Sequence, residues 1–306
     1  MANRFFHIAY APEYALHLPE GHRFPMLKYE LIPGQLLYEG VITEDNLVVP
    51  GICSDEIVLQ THQPAYVQKL KNLELSAREQ REIGFPQSAE LIRREFMITQ
   101  GTIDCCLSAF ENGVALNVAG GTHHAFADRG EGFCLLNDFA VAAKYLLSER
   151  LARKILVIDL DVHQGNGTAS IFRNNPLVFT FSMHGAHNYP FRKEQSDWDI
   201  GLTDGTSDQE YLSQLQSALD RLIPEQKPDF AFYLSGVDIL ETDKYGKLKI
   251  TMQGCRMRDE MVFNKLRGAN IPCAVSMGGG YSADVKIITE AHCNTFKAAK
   301  EIFDCH

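Results

Sequence analysis

Residues 154–168 read KILVIDLDVHQGNGT. The segment opens as an apolar, β-branched run, which reads as a buried strand. It then turns polar within three residues. Asp159, Asp161 and His163 are spaced by two, so continued extension would point all three side chains to the same side. Buried charges of one sign need a partner, usually a cation. Asp-x-His supplies an oxygen and a nitrogen of the kind a divalent metal such as zinc accepts. Gly165 and Gly167 let the backbone turn sharply behind them. Taken alone, the segment fits equally a strand running into a solvated Asp/His/Gly turn. It lacks the glycine spacing of the common phosphate loops.

Strand and helix patterns alternate through the second two-thirds of the chain. That alternation is the signature of a parallel sheet covered by helices on both faces. Strands are expected at 5–10, 57–60, 114–118, 154–160, 177–183, 230–234 and 271–277. Helices are expected over 29–39, 65–73, 88–111, 138–147, 207–222, 256–266 and 284–303, with 185–208 a long polar loop. The 306 residues show no linker, repeat or low-complexity tract, so one domain over 1–306 is expected.

A formal net charge of −10 argues against nucleic-acid binding by a basic surface. It is compatible with a cationic substrate, though a solvated acidic surface explains it as well. The eight cysteines form no C-x-x-C pair, as in a reducing compartment. No apolar run approaches the ~18 residues of a membrane span, and Glu13 and His17 interrupt any signal-like start at Met1–His7. A soluble, cytoplasmic protein without membrane partners is expected.

Five expected strands end at their carboxyl side in unusual segments: Gly120–His124, Asp159–Gly167, Ser182–His184, Gly236–Asp238 and Gly278–Tyr281. In open parallel sheets ligands bind at that edge. Each segment has a plain explanation alone: loop histidines at His123 and His124, a helix cap at Asp238, a core tyrosine at Tyr281. Five together point to a shared site. One metal held by Asp161, His163 and Asp238 would leave open positions for water and a carbonyl. A histidine nearby would move protons and a tyrosine hydroxyl would donate to an oxyanion. Those parts make an amide hydrolase.

The motifs GGTHHA (120–125), GFCLLND (132–138), DLDVHQGNGT (159–168), FSMH (181–184), GVDIL (236–240) and GGGYS (278–282) occur in this order. Together they resemble the zinc-dependent histone deacetylases, which have the arginase–deacetylase fold. The stretches DRGEGFC (128–134) and Ser182–Pro190 are most similar to class IV deacetylases and their bacterial relatives. The resemblance implies a single α/β catalytic domain and one zinc on Asp161, His163 and Asp238. It implies His124 as general base, His123 as its neighbour held by Asp159, and Tyr281 as the transition-state tyrosine. Gly132 and Phe133 match one wall of an acyl-lysine tunnel, and Tyr189 is taken as the second. A structural potassium is also implied, with Asp159 and Ser182 among its ligands. Asn166 departs from the pattern, standing where class I members carry an aspartate behind the base. The loop Gly84-Phe85-Pro86 lacks the acidic residue that grips substrate backbone in that class.

The activity implied is removal of acetyl or longer fatty-acyl groups from lysine in a protein or peptide. An acetylpolyamine or other small-molecule deacetylase would share every catalytic residue. A dinuclear arginase-like site is disfavoured because Gly165 stands where D-x-H-x-D needs a second carboxylate. An inactive acyl-lysine-binding protein would be expected to have lost a ligand, the base or the tyrosine.

Overall fold

A computed structural model describes residues 4–305; the reading of the chain start at Met1–Asn3 lies outside them. Eight strands form one sheet: β1 (Ile8–Ala9), β2 (Leu47–Val48), β3 (Val114–Asn117), β4 (Ile155–Asp159), β5 (Val178–Gly185), β6 (Trp198–Leu202), β7 (Phe230–Leu234) and β8 (Cys273–Ser276). Their order is β2-β1-β3-β8-β7-β4-β5-β6, and every pairing is parallel. The central strands are apolar and buried throughout, ILVID in β4, FAFYL in β7 and CAVS in β8. A strand covered on both faces needs an unbroken run of this kind rather than an alternating one.

Ten helices surround the sheet: α1 (Lys28–Tyr38), α2 (Asp55–Val58), α3 (Pro64–Lys71), α4 (Ala77–Ile83), α5 (Ala89–Asn112), α6 (Asp138–Ser148), α7 (Asn166–Phe172), α8 (Asp208–Gln226), α9 (Met252–Gly268) and α10 (Val285–Phe303). The 24-residue α5 starts at Ser88, whose hydroxyl accepts from Leu91 N–H, and packs on β1, β3, β8 and α6. Helices α8, α9, α10 and α1 pack in succession against one another. All eight cysteines are buried and free. Among the described residues no helix is long and apolar enough to cross a membrane.

Residues 57–60, expected as a strand, lie instead in and just after α2. Ser54 caps that helix by accepting from Ile57 N–H, and Asp55 and Glu56 fill its first turn. The β-branched pair Ile57-Val58 suggested a strand, but the cap decides. The polar loop 185–208 holds β6, an edge strand paired only with β5. Its half-buried Trp198, Asp199 and Ile200 give it no apolar run to read. Helices α4 and α7 were also not expected.

The parallel order sets five strand ends side by side. Reading across β3, β8, β7, β4 and β5, the carboxyl-edge segments are those five singled out in the sequence.

Candidate active site

At the end of β4 the chain leaves the extended conformation. Asp159 Oδ1 accepts from Asp161 N–H (3.2 Å), and Asp161 Oδ1 accepts from His163 N–H (2.9 Å). These two side-chain turns replace the ladder. As a result Asp159 does not join Asp161 and His163. It turns to His123, with Oδ2 2.7 Å from Nδ1.

Asp161 and His163 meet Asp238 from the β7 edge. Each offers one ligand atom, all three within 4.8 Å of one another and all buried. His163 Nδ1 lies 3.0 Å from Asp161 Oδ1 and 3.1 Å from Asp238 Oδ2. Backbone donors hold the remaining oxygens: Gly279 N–H bonds Asp161 Oδ2 (2.8 Å) and Val162 N–H bonds Asp238 Oδ1 (2.9 Å). A Cβ on Gly279 would sit 2.0 Å from Asp238 Oδ2, so the carboxylates approach because that residue is glycine. Burial opposes charge on His163, but the two carboxylates outweigh it and lift its pKa to about 10. Burial and the Asp161 charge push Asp238 up to about 7. Two buried carboxylates and an imidazole whose Nδ1 proton a metal would displace match the donors of a borderline divalent cation such as zinc.

The turn after β3 carries His123 and His124. Asp138, at the start of α6, fixes that turn by accepting from Gly121 N–H (3.1 Å), Thr122 N–H (2.9 Å) and Ser276 Oγ (3.1 Å). Burial would depress His123, but Asp159 and Asp161 reverse this and raise its pKa. His124 goes the other way. Burial, then the nearby His123 and His163, hold it well below the ordinary histidine range. Its Nδ1 lies 2.6 Å from Asn166 Oδ1.

Tyr281 lines the same cavity as His124, Asp161 and His163. Its backbone N–H bonds Asp243 Oδ2 (2.6 Å). Burial and the charges of Asp238 and Asp161 keep its hydroxyl protonated. The cavity is about 40 Å³ and is also lined by Phe24, Tyr29, Arg94 and Ile98. Outward it opens to a mouth of about 700 Å³. Phe133 stands on one side of the mouth. Tyr189 stands on another, edge-on to His124 with ring centroids 5.0 Å apart. A Cβ on Gly132 would lie 2.7 Å from the His124 ring. Ser182 bonds His184 Nδ1 (2.9 Å) and pairs with Asp159 in the β4–β5 register.

Several residues at the site carried no signal in the sequence. Lys28 is fully buried and donates to the Gly278 carbonyl (2.8 Å). Burial brings its pKa down to about 8, against Asp238 and Asp161. Arg258 is buried and donates to the carbonyls of Ser235 and Gly236, bracing the β7 edge next to Asp238. Glu131 bonds both Tyr189 and Asn166. Lone charged residues in helix and loop patterns read as solvated, and only the fold brings these inside.

Sheet, helices and strand-end site together define an arginase–deacetylase-type α/β protein. Similar solved structures include an HDAC homolog complexed with SAHA (TM-score 0.83, 23% identity, 99% of this chain and 85% of that one). Another is an HDAC homolog from Aquifex aeolicus (TM-score 0.81, 22% identity, 99% and 89%). The histone deacetylase domain matches residues 22–297, and the chain belongs to that family. It is 41% identical to an uncharacterized protein of Picosynechococcus over 97% of this chain and 99% of the relative. It is 31% identical to histone deacetylase 2 of Arabidopsis thaliana (88% and 72%), and 28% identical to the acetoin utilization protein AcuC of Staphylococcus aureus (78% and 67%). Membership supports a hydrolase of the deacetylase kind.

Proposed function

We propose that this chain is a zinc-dependent amidohydrolase that removes short acyl groups from lysine side chains. The observation that carries the proposal is the convergence of Asp161, His163 and Asp238 in the cavity that His124 and Tyr281 line. A zinc ion held by those three side chains would acidify a water and polarise the amide carbonyl. His124, neutral through burial, takes a proton from the attacking water and returns it to the leaving amine. Tyr281, its hydroxyl protonated, donates a hydrogen bond to the oxygen that becomes negative. His123, paired with Asp159, supports the site from behind. Phe133, Gly132 and Tyr189 form walls for the lysine stem. Asp159 and Ser182, opposite each other in register, are the side chains that would contribute to a potassium site.

The size of the inner cavity favours a short acyl chain. About 40 Å³ is only a few times the ~10–15 Å³ that one water needs, room for an acetyl methyl but not a long tail. Its glycines do not widen it. A Cβ at Gly121 would press on Gly278 at 3.0 Å, and one at Gly278 would meet Leu234 at 2.5 Å. The mouth favours a peptide over a polyamine. Arg23 and Arg81 line it with no carboxylate partner among the described residues, Lys247 lies 3.9 Å from Asp204, and its carboxylates Glu82 and Glu131 already bond Arg78 and Arg129. A polycation would meet like charge there.

The test is to strip metal with chelator, restore one zinc per chain, and compare an acetyl-lysine peptide with N-acetylspermidine. The proposal expects zinc-dependent hydrolysis of the peptide with the higher kcat/KM. Preference for the polyamine would reassign the substrate. Hydrolysis of neither, with zinc bound, would leave a binding protein.

A further inference from the structure

We propose that Glu131 is a positioning residue that fixes the proton on His124 through the side-chain amide of Asn166. This deepens the reading of His124 as general base and rests on it.

Glu131 opens a tight hairpin. Its backbone pairs with Cys134 (N–H to O 3.1 Å and O to N–H 2.9 Å), and the two residues between, Gly132 and Phe133, have φ of 53° and 67°. Positive φ at both central positions is the arrangement of a primed two-residue turn. The hairpin carries the Glu131 carboxylate to the rim of the site. Arg129 Nε donates to Oε1 at 3.0 Å. Tyr189 Oη donates to Oε2 at 2.9 Å, and Asn166 Nδ2 faces the same oxygen at 3.4 Å.

A side-chain amide has a donor end and an acceptor end, and it can turn either way. An ionised carboxylate has only acceptors, so it accepts the nitrogen end of Asn166 and repels the oxygen end. That leaves Asn166 Oδ1 toward His124 Nδ1 at 2.6 Å. Two acceptors cannot bond, so Nδ1 carries the ring proton and the lone pair is on Nε2, the nitrogen a base needs. The 3.4 Å contact is long. Its contribution is therefore one of sense rather than strength: it makes the turned amide, with its carbonyl against a carboxylate, the unfavourable alternative. An aspartate at 166 would need no such help, because both of its ends accept. Glu131 thus supplies at one remove the carboxylate that position 166 lacks.

The experiment is ¹⁵N-histidine NMR of the zinc-loaded full chain, with His124→Gln assigning the resonance, across wild type, Glu131→Ala, Asn166→Asp and the double variant. In wild type His124 should show a protonated Nδ1 and a bare Nε2. Glu131→Ala should shift it toward the Nε2–H form, while the same change in the Asn166→Asp background should leave Nδ1 protonated. Steady-state rates on the peptide should follow, with kcat falling about tenfold at unchanged KM only where Asn166 is present. A His124 tautomer indifferent to Glu131→Ala, or equally altered in both backgrounds, overturns the inference, since loss of the Tyr189 contact or of the hairpin would act on both. The NMR result stands whether or not the protein hydrolyses the peptide, so it fails separately from the proposed activity.

Discussion

Burial, with little opposition from Asn166, sets the charge state of His124. A neutral amide beside His124 does little to favour the imidazolium, while burial and the neighbouring His123 and His163 disfavour it. His124 is therefore free of a proton to unusually low pH, and if it is the general base proposed above the acid limb of the rate profile should lie low. Asn166→Asp puts a carboxylate on Nδ1 and favours the charged ring. The acid limb of kcat/KM should move upward by about one unit. A profile that does not move would mean that His124 is not the group titrating. Much of this scale was legible in the sequence. Asp161, His163 and Asp238 stood at strand ends, and their grouping needed only the parallel order. The pairing of Asp159 with His123 rather than with its neighbours was not legible from spacing, because two side-chain-to-backbone turns break the extension that spacing assumes. Glu131 and Lys28 were invisible because nothing local marks a surface-type residue that the fold draws inward.

The elements matter through what holds their ends. His62 Nε2 accepts the Asn137 N–H (3.0 Å), and Asn137 caps α6 by accepting from Ala140 N–H (3.0 Å). The next residue, Asp138, holds the turn that carries His123 and His124. His62 can accept only while neutral, and burial lowers its pKa from 6.5 to about 4. The unfolded chain thus binds the proton more readily between those values, and stability must fall as pH drops from about 6.5 toward 4. The full contribution is about 3 kcal/mol at ~1.4 kcal/mol per unit. Urea unfolding at pH 7 and pH 4.5 should show a smaller loss for His62→Gln, which keeps an acceptor without a charge. Parallel losses in both proteins would show that His62 is not the group responsible. Central strands were legible because burial on both faces demands long apolar runs. The edge strands β2 and β6 were not, being short or half-exposed, and α2 was hidden by a β-branched pair behind an effective cap.

Across the whole molecule, an acidic chain of net charge −10 surrounds a mouth lined by Arg23, Arg81 and Lys247. Beyond the mouth, with Phe133 and Tyr189 in its lining, lie the buried carboxylates and a small inner cavity. Sequence alone left the acyl chain open, because glycines at 120, 121 and 278 suit a roomy pocket and a tight turn alike. Packing decides for the turn, since each is pressed by a neighbour on the side a Cβ would occupy. The measurement that most directly tests the account is hydrolysis of one peptide carrying acetyl-, octanoyl- or myristoyl-lysine by the zinc-loaded protein, beside Tyr281→Phe. Rapid release of acetate, little release of the long chains and a loss of roughly 10²–10³ in kcat for Tyr281→Phe are the expected results. Long-chain release outpacing acetyl, or a Tyr281→Phe protein as fast as wild type, would contradict it.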